Sequence, residues 1–247
     1  RSLVGSEMCI RDRLMPTKFK DLEFSPKIGK KIQLMTSKGV FTPNTTTELL
    51  IDAVRKTISK PLKILDLGCG TGVVGLSLWL EGLVKGPVYA SDLSMPSVTC
   101  SLENFRRHHC EADIRCGALF EPWTNEKFDV IVDDISGISQ DIASVSPWFG
   151  GVPCNTGKDG TDLVLDIFRN SFRHLSEDGY LFFPVLSLSN VDALLKEAKE
   201  NFAIVELIKR QEWPLPKELE EHLPLLEKLA IAGSINLEKR FGMMLCY

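Results

Sequence analysis

No stretch of the 247-residue chain stays apolar for the ~18 residues that a membrane-spanning helix requires, so no membrane partner is expected. A basic excess is also missing. The 29 Lys and Arg stand against 33 Asp and Glu, and the resulting net charge of −4 argues against broad nucleic-acid binding while leaving room for a local basic patch. The seven cysteines (Cys9, Cys69, Cys100, Cys110, Cys116, Cys154, Cys246) contain no Cys-x-x-Cys pair and are odd in number. That favours reduced thiols and a cytoplasmic location over a disulfide framework. Histidine is scarce, and His108-His109-Cys110 with Cys116 fits no zinc spacing, so no metal is expected. No internal repeat or low-complexity tract is present. What remains is an ordinary apolar fraction of 44% on a length that suits one large α/β domain with additions.

The informative stretch is Ile64-Leu65-Asp66-Leu67-Gly68-Cys69-Gly70-Thr71-Gly72-Val73-Val74-Gly75. The apolar run from Leu62 to Leu67 reads as a buried strand; the helix after it turns Val73, Val74, Leu76, Leu80 and Leu83 inward. Glycines spaced between a strand and a helix let a ligand approach bare backbone, and such a junction is where open α/β sheets hold nucleotide-like molecules. Gly70-x-Gly72-x-x-Gly75 satisfies the dinucleotide fingerprint in form, which keeps a nicotinamide-dependent oxidoreductase open. A pyrophosphate, however, wants little negative charge in the turn. Asp66, two residues ahead of the first glycine, suits an ammonium or sulfonium ligand better. Asp92 closes a second strand (Pro87 to Asp92) at the distance from which a carboxylate reaches ribose hydroxyls.

The Asp-x-Gly-x-Gly-x-Gly stretch resembles the first motif of class I S-adenosylmethionine (SAM)-dependent methyltransferases. Gly39-Val40-Phe41-Thr42-Pro43-Asn44-Thr45-Thr46-Thr47 resembles the segment that covers the cofactor in small-domain enzymes of the HemK and ribosomal-RNA small-subunit type. Gly117-Ala118-Leu119-Phe120-Glu121-Pro122 and Gly157-Lys158-Asp159-Gly160 are similar to later segments of that family. The resemblance implies a Rossmann-like α/β fold, a seven-stranded, mostly parallel sheet with an antiparallel last strand. It implies SAM as cofactor, with Asp66, Gly68, Cys69 and Gly70 at its amino-acid end, Asp92 and Leu93 at its ribose, and Thr47 and Asp133 beside it. Ala118 and Leu119 would meet the adenine through backbone alone, since Ala118 stands where the family has Asp. Phe120 is expected in the core. Phe41, Pro43, Trp148 and Phe149 would shape the substrate pocket.

Strand four (Lys127 to Asp134) ends in Asp133-Asp134-Ile135-Ser136 where the family places Asn-Pro-Pro-aromatic. This is the largest departure, and it puts amide or base methylation in question. Adjacent strand residues point to opposite sides, so one carboxylate should face the cofactor. Asp133 takes that place by register, with Asp134 as the second catalytic candidate. Either could accept a proton from an amine or hydroxyl. The function expected is methyl transfer to an N or O nucleophile of a protein, an RNA or a small amine or hydroxyl compound. A non-catalytic SAM-binding scaffold subunit is the alternative.

Residues 1–13 (RSLVGSEMCIRDR) resemble translated adapter sequence and are expected to be non-native, with Met15 a plausible start; the chain stops in mid-strand, so a longer natural protein is expected. Residues 14–60 should hold a hairpin (Asp21 to Phe24, Lys31 to Met35) and a helix capped at Asn44 with Leu50, Val54 and Ile58 inward. Residues 61–247 form the SAM-binding domain. Its expected parts are a helix from Pro96 to His109 with Val98, Leu102 and Phe105 inward, a strand from Ala112 to Cys116 and a loop from Ile138 to Pro153. A helix striped by Val164, Phe168, Phe172 and Leu175 follows, then a turn at Glu177 to Gly179 and a strand from Gly179 to Leu186. The helix Asn190 to Glu200 should bury Val191, Leu194, Leu195 and Ala198, and strands Phe202 to Lys209 and Arg240 to Tyr247 should complete the sheet. An insertion over about 213–236, split by Pro224, separates those two strands.

Overall fold

The computed structural model describes residues 18–135, 137–149, 154–240 and 243–247. The expectations for residues 1–13, Met15, Ser136 and residues 150–153 lie outside these. The N-terminal hairpin is present as expected: β1 (Lys20–Phe24) pairs antiparallel with β2 (Ile32–Thr36). Helix α1 (Thr45–Thr57) follows a capping box in which Asn44 Oδ1 accepts from Thr46 N and Thr47 N, and Thr47 Oγ1 accepts from Asn44 N.

The central sheet contains β3 (Ile64–Leu67), β4 (Val88–Asp92), β5 (Ala112–Cys116), β6 (Phe128–Asp133) and β7 (Leu175–Phe182). All pairings are parallel and the order is β5-β4-β3-β6-β7. Helices α2 (Val73–Leu80), α3 (Met95–Arg107), α4 (Gln140–Val145), α5 (Asp162–Ser171) and α6 (Val191–Asn201) are strung between and after these strands. The strand order reverses beside β3, so the crevice above β3 and β6 lies at the topological switch point. This agrees with the Rossmann-like class.

Among the described residues the central sheet has five strands rather than the expected seven. Residues 202–209 pair with no strand; Ile204 and Leu207 are 77% and 78% exposed, and Lys209 is tied to Asp52 of α1 at 2.5 Å. The last strand, β10 (Met243–Cys246), joins β8 (Trp213–Pro214) and β9 (Glu238–Arg240) in a separate antiparallel sheet. With α7 (Lys217–Glu220) and α8 (Leu223–Ile231) it builds a cover; the expected helix is split at Glu221-His222, and Pro224 sits in the first turn of α8. Leu215, Leu219, Leu226 and Leu229 pack there with Ile142, Phe149 and Leu188 into a core of their own.

Further boundaries differ for local reasons. The loop expected from Ile138 contains α4 and a 3-10 turn at Pro147–Phe149, each too short to show a period. Helix α5 ends at Ser171, leaving Phe172 63% exposed, and Leu175 opens β7. Glu177 to Gly179 are no turn: they lie inside β7, absorbed by a register shift between the pairs Phe128–Leu175 and Val130–Tyr180. Helix α3 buries Ser97, Cys100, Ser101 and Asn104 beside Phe105, with Val98 and Leu102 only half-buried, and Leu195 of α6 is exposed.

Candidate functional site

Parallel alternation decides which side chains reach the crevice. Register pairs Asp66 with Val132 and Leu67 with Asp133, so Asp66 faces the α1–α3 side and Asp133 the opposite one. On the Asp66 face lie Ile64, Ala90 and Val132; on the Asp133 face lie Leu65, Leu67, Ile131, Trp123 and Phe128.

The glycine loop is bent by residues only glycine accommodates. Gly68, Gly70 and Gly72 have φ of 71°, 53° and 77°. A Cβ on Gly75 would lie 2.6 Å from Val88 Cγ1 and 3.2 Å from Asp66 Oδ2, so this glycine lets α2 press against the strands. Nothing lies within 4 Å of the Cβ position of Gly70, which opens to the cavity.

That cavity holds about 680 Å³ across the C-terminal ends of β3, β4 and β6. Asp66, Gly68, Cys69, Gly70, Asp92, Leu93, Ala118, Leu119 and Thr47 all line it, as do Phe41, Pro43, Trp148 and Phe149. Phe120 is in the core, stacked on His174 with centroids 4.5 Å apart. The pairing of roles at the end of β6 is corrected: Asp134 lines the cavity and Asp133 does not. Asp133 ends the strand on the Trp123 face, fully buried, with Oδ1 accepting from Ile135 N at 2.8 Å. The chain then leaves the sheet, which carries Asp134 over the crevice, where its Oδ2 accepts from Thr47 Oγ1 at 2.7 Å.

Each acid is raised above its ordinary carboxylate range. Burial pushes Asp66 to about 7, against the lowering effect of its hydrogen bond from Gly75 N (2.9 Å) and with help from Asp134 and Asp92. Burial likewise carries Asp134 to about 6 and Asp133 to about 8, and lifts Asp92. Asp92 accepts from Gly70 N at 3.0 Å and Ser94 N at 2.8 Å, so it also shapes the loop. Two buried polar atoms of the cavity wall, Asp66 Oδ1 and Thr71 Oγ1, have no partner. Buried polar atoms without partners are costly, and a carboxylate left so is suited to a cation. A ligand carrying positive charge fits this donor set, and a pyrophosphate does not.

Sequence reading missed Thr71, Ile135 (which occupies the space a Cβ on Gly68 would need) and the far wall: Leu186, Leu188, Trp213, Pro216 and Tyr247. Trp213-Pro214-Leu215-Pro216 was the available signal, an aromatic beside two prolines at the mouth of the insertion. Leu119, named for its backbone, sits at φ 44°, a conformation uncommon outside glycine. The Ala118 N–H is already taken by Glu121 Oε2 at 3.2 Å.

Among known proteins, the family model described as "Methyltransferase small domain" matches residues 31–134. The release factor glutamine methyltransferase of Aquifex aeolicus is 29% identical over 156 residues, covering 60% of this chain and 55% of that protein. The ribosomal protein L11 methyltransferase of Lactobacillus johnsonii is 25% identical over 165 residues, covering 66% of this chain and 44% of its own. The chain thus spans about half the length of these curated relatives. The crystal structure of SMU.776 complexed with SAH superposes with a TM-score of 0.54 over 83% of this chain and 52% of that one at 14% identity, a likeness of fold. No helix among the described residues is long and apolar enough to cross a membrane.

Proposed function

We propose, from the match of residues 31–134 to the methyltransferase small domain model and from the cavity's lining, that this chain is a class I SAM-dependent methyltransferase that transfers a methyl group from SAM to an N or O nucleophile set against Asp134. The observation that carries the reading is the unpartnered, fully buried Asp66 Oδ1 on the wall of a cavity at the sheet's switch point. SAM, when bound there, would supply a methyl carbon activated by the sulfonium, with the neutral thioether as its leaving group.

The chain's own residues bind, orient and accept a proton. Asp66 and the loop backbone at Gly68 to Gly70 take the ammonium end. Asp92 retains lone pairs beyond its two backbone contacts and accepts from the ribose hydroxyls. The strained backbone at Leu119 is left to meet the adenine edge, the Ala118 N–H being occupied. Thr47 fixes Asp134, whose raised value of about 6 leaves it ionised near neutrality and able to remove a proton from the acceptor. In-line positioning supplies most of the acceleration. Protein is the acceptor class that the relatives' names suggest; an RNA or a small amine or hydroxyl compound fits the expectation as well.

Calorimetry with S-adenosylhomocysteine and with NADH tests the cofactor. Micromolar binding of the first and none of the second is expected; the reverse ends the reading. The scaffold alternative is favoured by the loss of Asn-Pro-Pro at Asp133-Asp134-Ile135. Cofactor binding with no transfer of labelled methyl to proteins, RNA or amines would support it.

A further inference from the structure

The cavity has two chemically different halves. One is the loop end just described. The other, beyond Asp134, is bounded by Phe41, Trp148, Phe149, Trp213 and Tyr247, with the Phe41 and Phe149 rings 5.9 Å apart. Among the described residues that line the whole cavity there are three carboxylates, Asp66, Asp92 and Asp134, and no Lys, Arg or His. A phosphate or carboxylate brought to Asp134, away from the loop N–H groups, would face that carboxylate with no cationic side chain to offset it. A protonated amine would meet carboxylate and aromatic faces, both of which attract it. Asp134 offers it an open acceptor: Thr47 occupies Oδ2, and no group of the described residues donates to Oδ1.

Resting on the methyltransferase reading for its cofactor half, we propose that the aromatic half admits a small organic amine with an apolar or aromatic body, its ammonium set on Asp134. The aromatic walls come from three separate elements: the segment ahead of α1, the 3-10 turn at Pro147–Phe149, and the cover. An acceptor here would meet aromatic faces from three directions, which suits a compact molecule with an apolar body. The tryptophans offer flat apolar area, the ring type that attracts a cation best.

The test is calorimetric binding of three probes of similar shape, phenethylamine, phenethyl alcohol and phenylpropionate, to the protein with and without S-adenosylhomocysteine, at roughly pH 8, where a primary ammonium keeps its charge. The amine should bind about tenfold tighter than the alcohol, and the carboxylate not measurably. Asp134→Asn should reduce the amine's advantage to within about twofold while S-adenosylhomocysteine affinity holds; Trp148→Ala should weaken amine and alcohol alike by about tenfold. Equal binding of the carboxylate, or an amine preference untouched in Asp134→Asn, overturns the proposal. So does displacement of the amine by an RNA oligonucleotide or a lysine peptide at concentrations well below the amine's own Kd. Should the amine pattern hold while S-adenosylhomocysteine fails to bind, the amine site stands and the cofactor reading falls. Should S-adenosylhomocysteine bind and no amine do so, the reverse follows.

Discussion

Replacing Asp92 by alanine removes more than a ribose contact, because its carboxylate also holds Gly70 N and Ser94 N. Hydrogen bonds to a charged group contribute about 1.5–3 kcal/mol each. Asp92→Ala should therefore weaken S-adenosylhomocysteine roughly tenfold to a hundredfold and also lower the melting temperature by a few degrees, read by calorimetry and thermal unfolding. An unaltered affinity would remove Asp92 from the site. Residue identity made Asp66, Asp92 and the glycine loop legible in the sequence, since few arrangements need an acid beside three spaced glycines. The choice between Asp133 and Asp134 was not legible, because it turns on the residue at which β6 ends.

Helix α3 shows why elements were read more easily than their faces. The periodic apolar residues Val98 and Leu102 are half-buried, and the inward position is held by Asn104, fully buried. Its Oδ1 accepts from Met35 N at 2.6 Å, and its Nδ2 donates to Met35 O and to Thr71 O, both at 2.9 Å. One side chain thereby joins the N-terminal hairpin to the glycine loop, a contact no hydrophobic period announces. Asn104→Ala removes the side-chain partner of Met35 N and Thr71 O, while Met35 O keeps Cys100 Sγ at 3.1 Å, and should destabilise by about 2–4 kcal/mol. Hydrogen exchange should quicken first at Met35; protection equal to the parent's would sink this assignment. The missing sixth strand has a similar origin. Residues 202–209 have a strand's composition, but the ion pair of Lys209 with Asp52 and the separate sheet of β8, β9 and β10 direct the chain elsewhere.

At the scale of the molecule, Asp66, Asp133 and Asp134 are raised to about 7, 8 and 6 from 3.8. The folded state consequently holds more protons than the unfolded one between roughly pH 4 and 8, and stability falls as pH rises through that window. The ligand-free protein should melt several degrees lower near pH 8 than near pH 5. Saturating SAM should restore most of the difference, since its positive charge favours the ionised acids. A melting temperature that rises with pH over this range would contradict the assignment. The alternation of parallel strands with helices was legible in the sequence; the order of the five strands across the sheet was not read from it. The cover's own core did not, because it is assembled from short pieces far apart in the chain.

That every charged side chain on the cavity wall is acidic has a kinetic corollary. Under the proposed reaction the sulfur loses its positive charge at each turnover, so the spent cofactor grips this wall less firmly than the fresh one. Exchange is then driven by the fold's own charge, and inhibition by accumulated by-product should be mild.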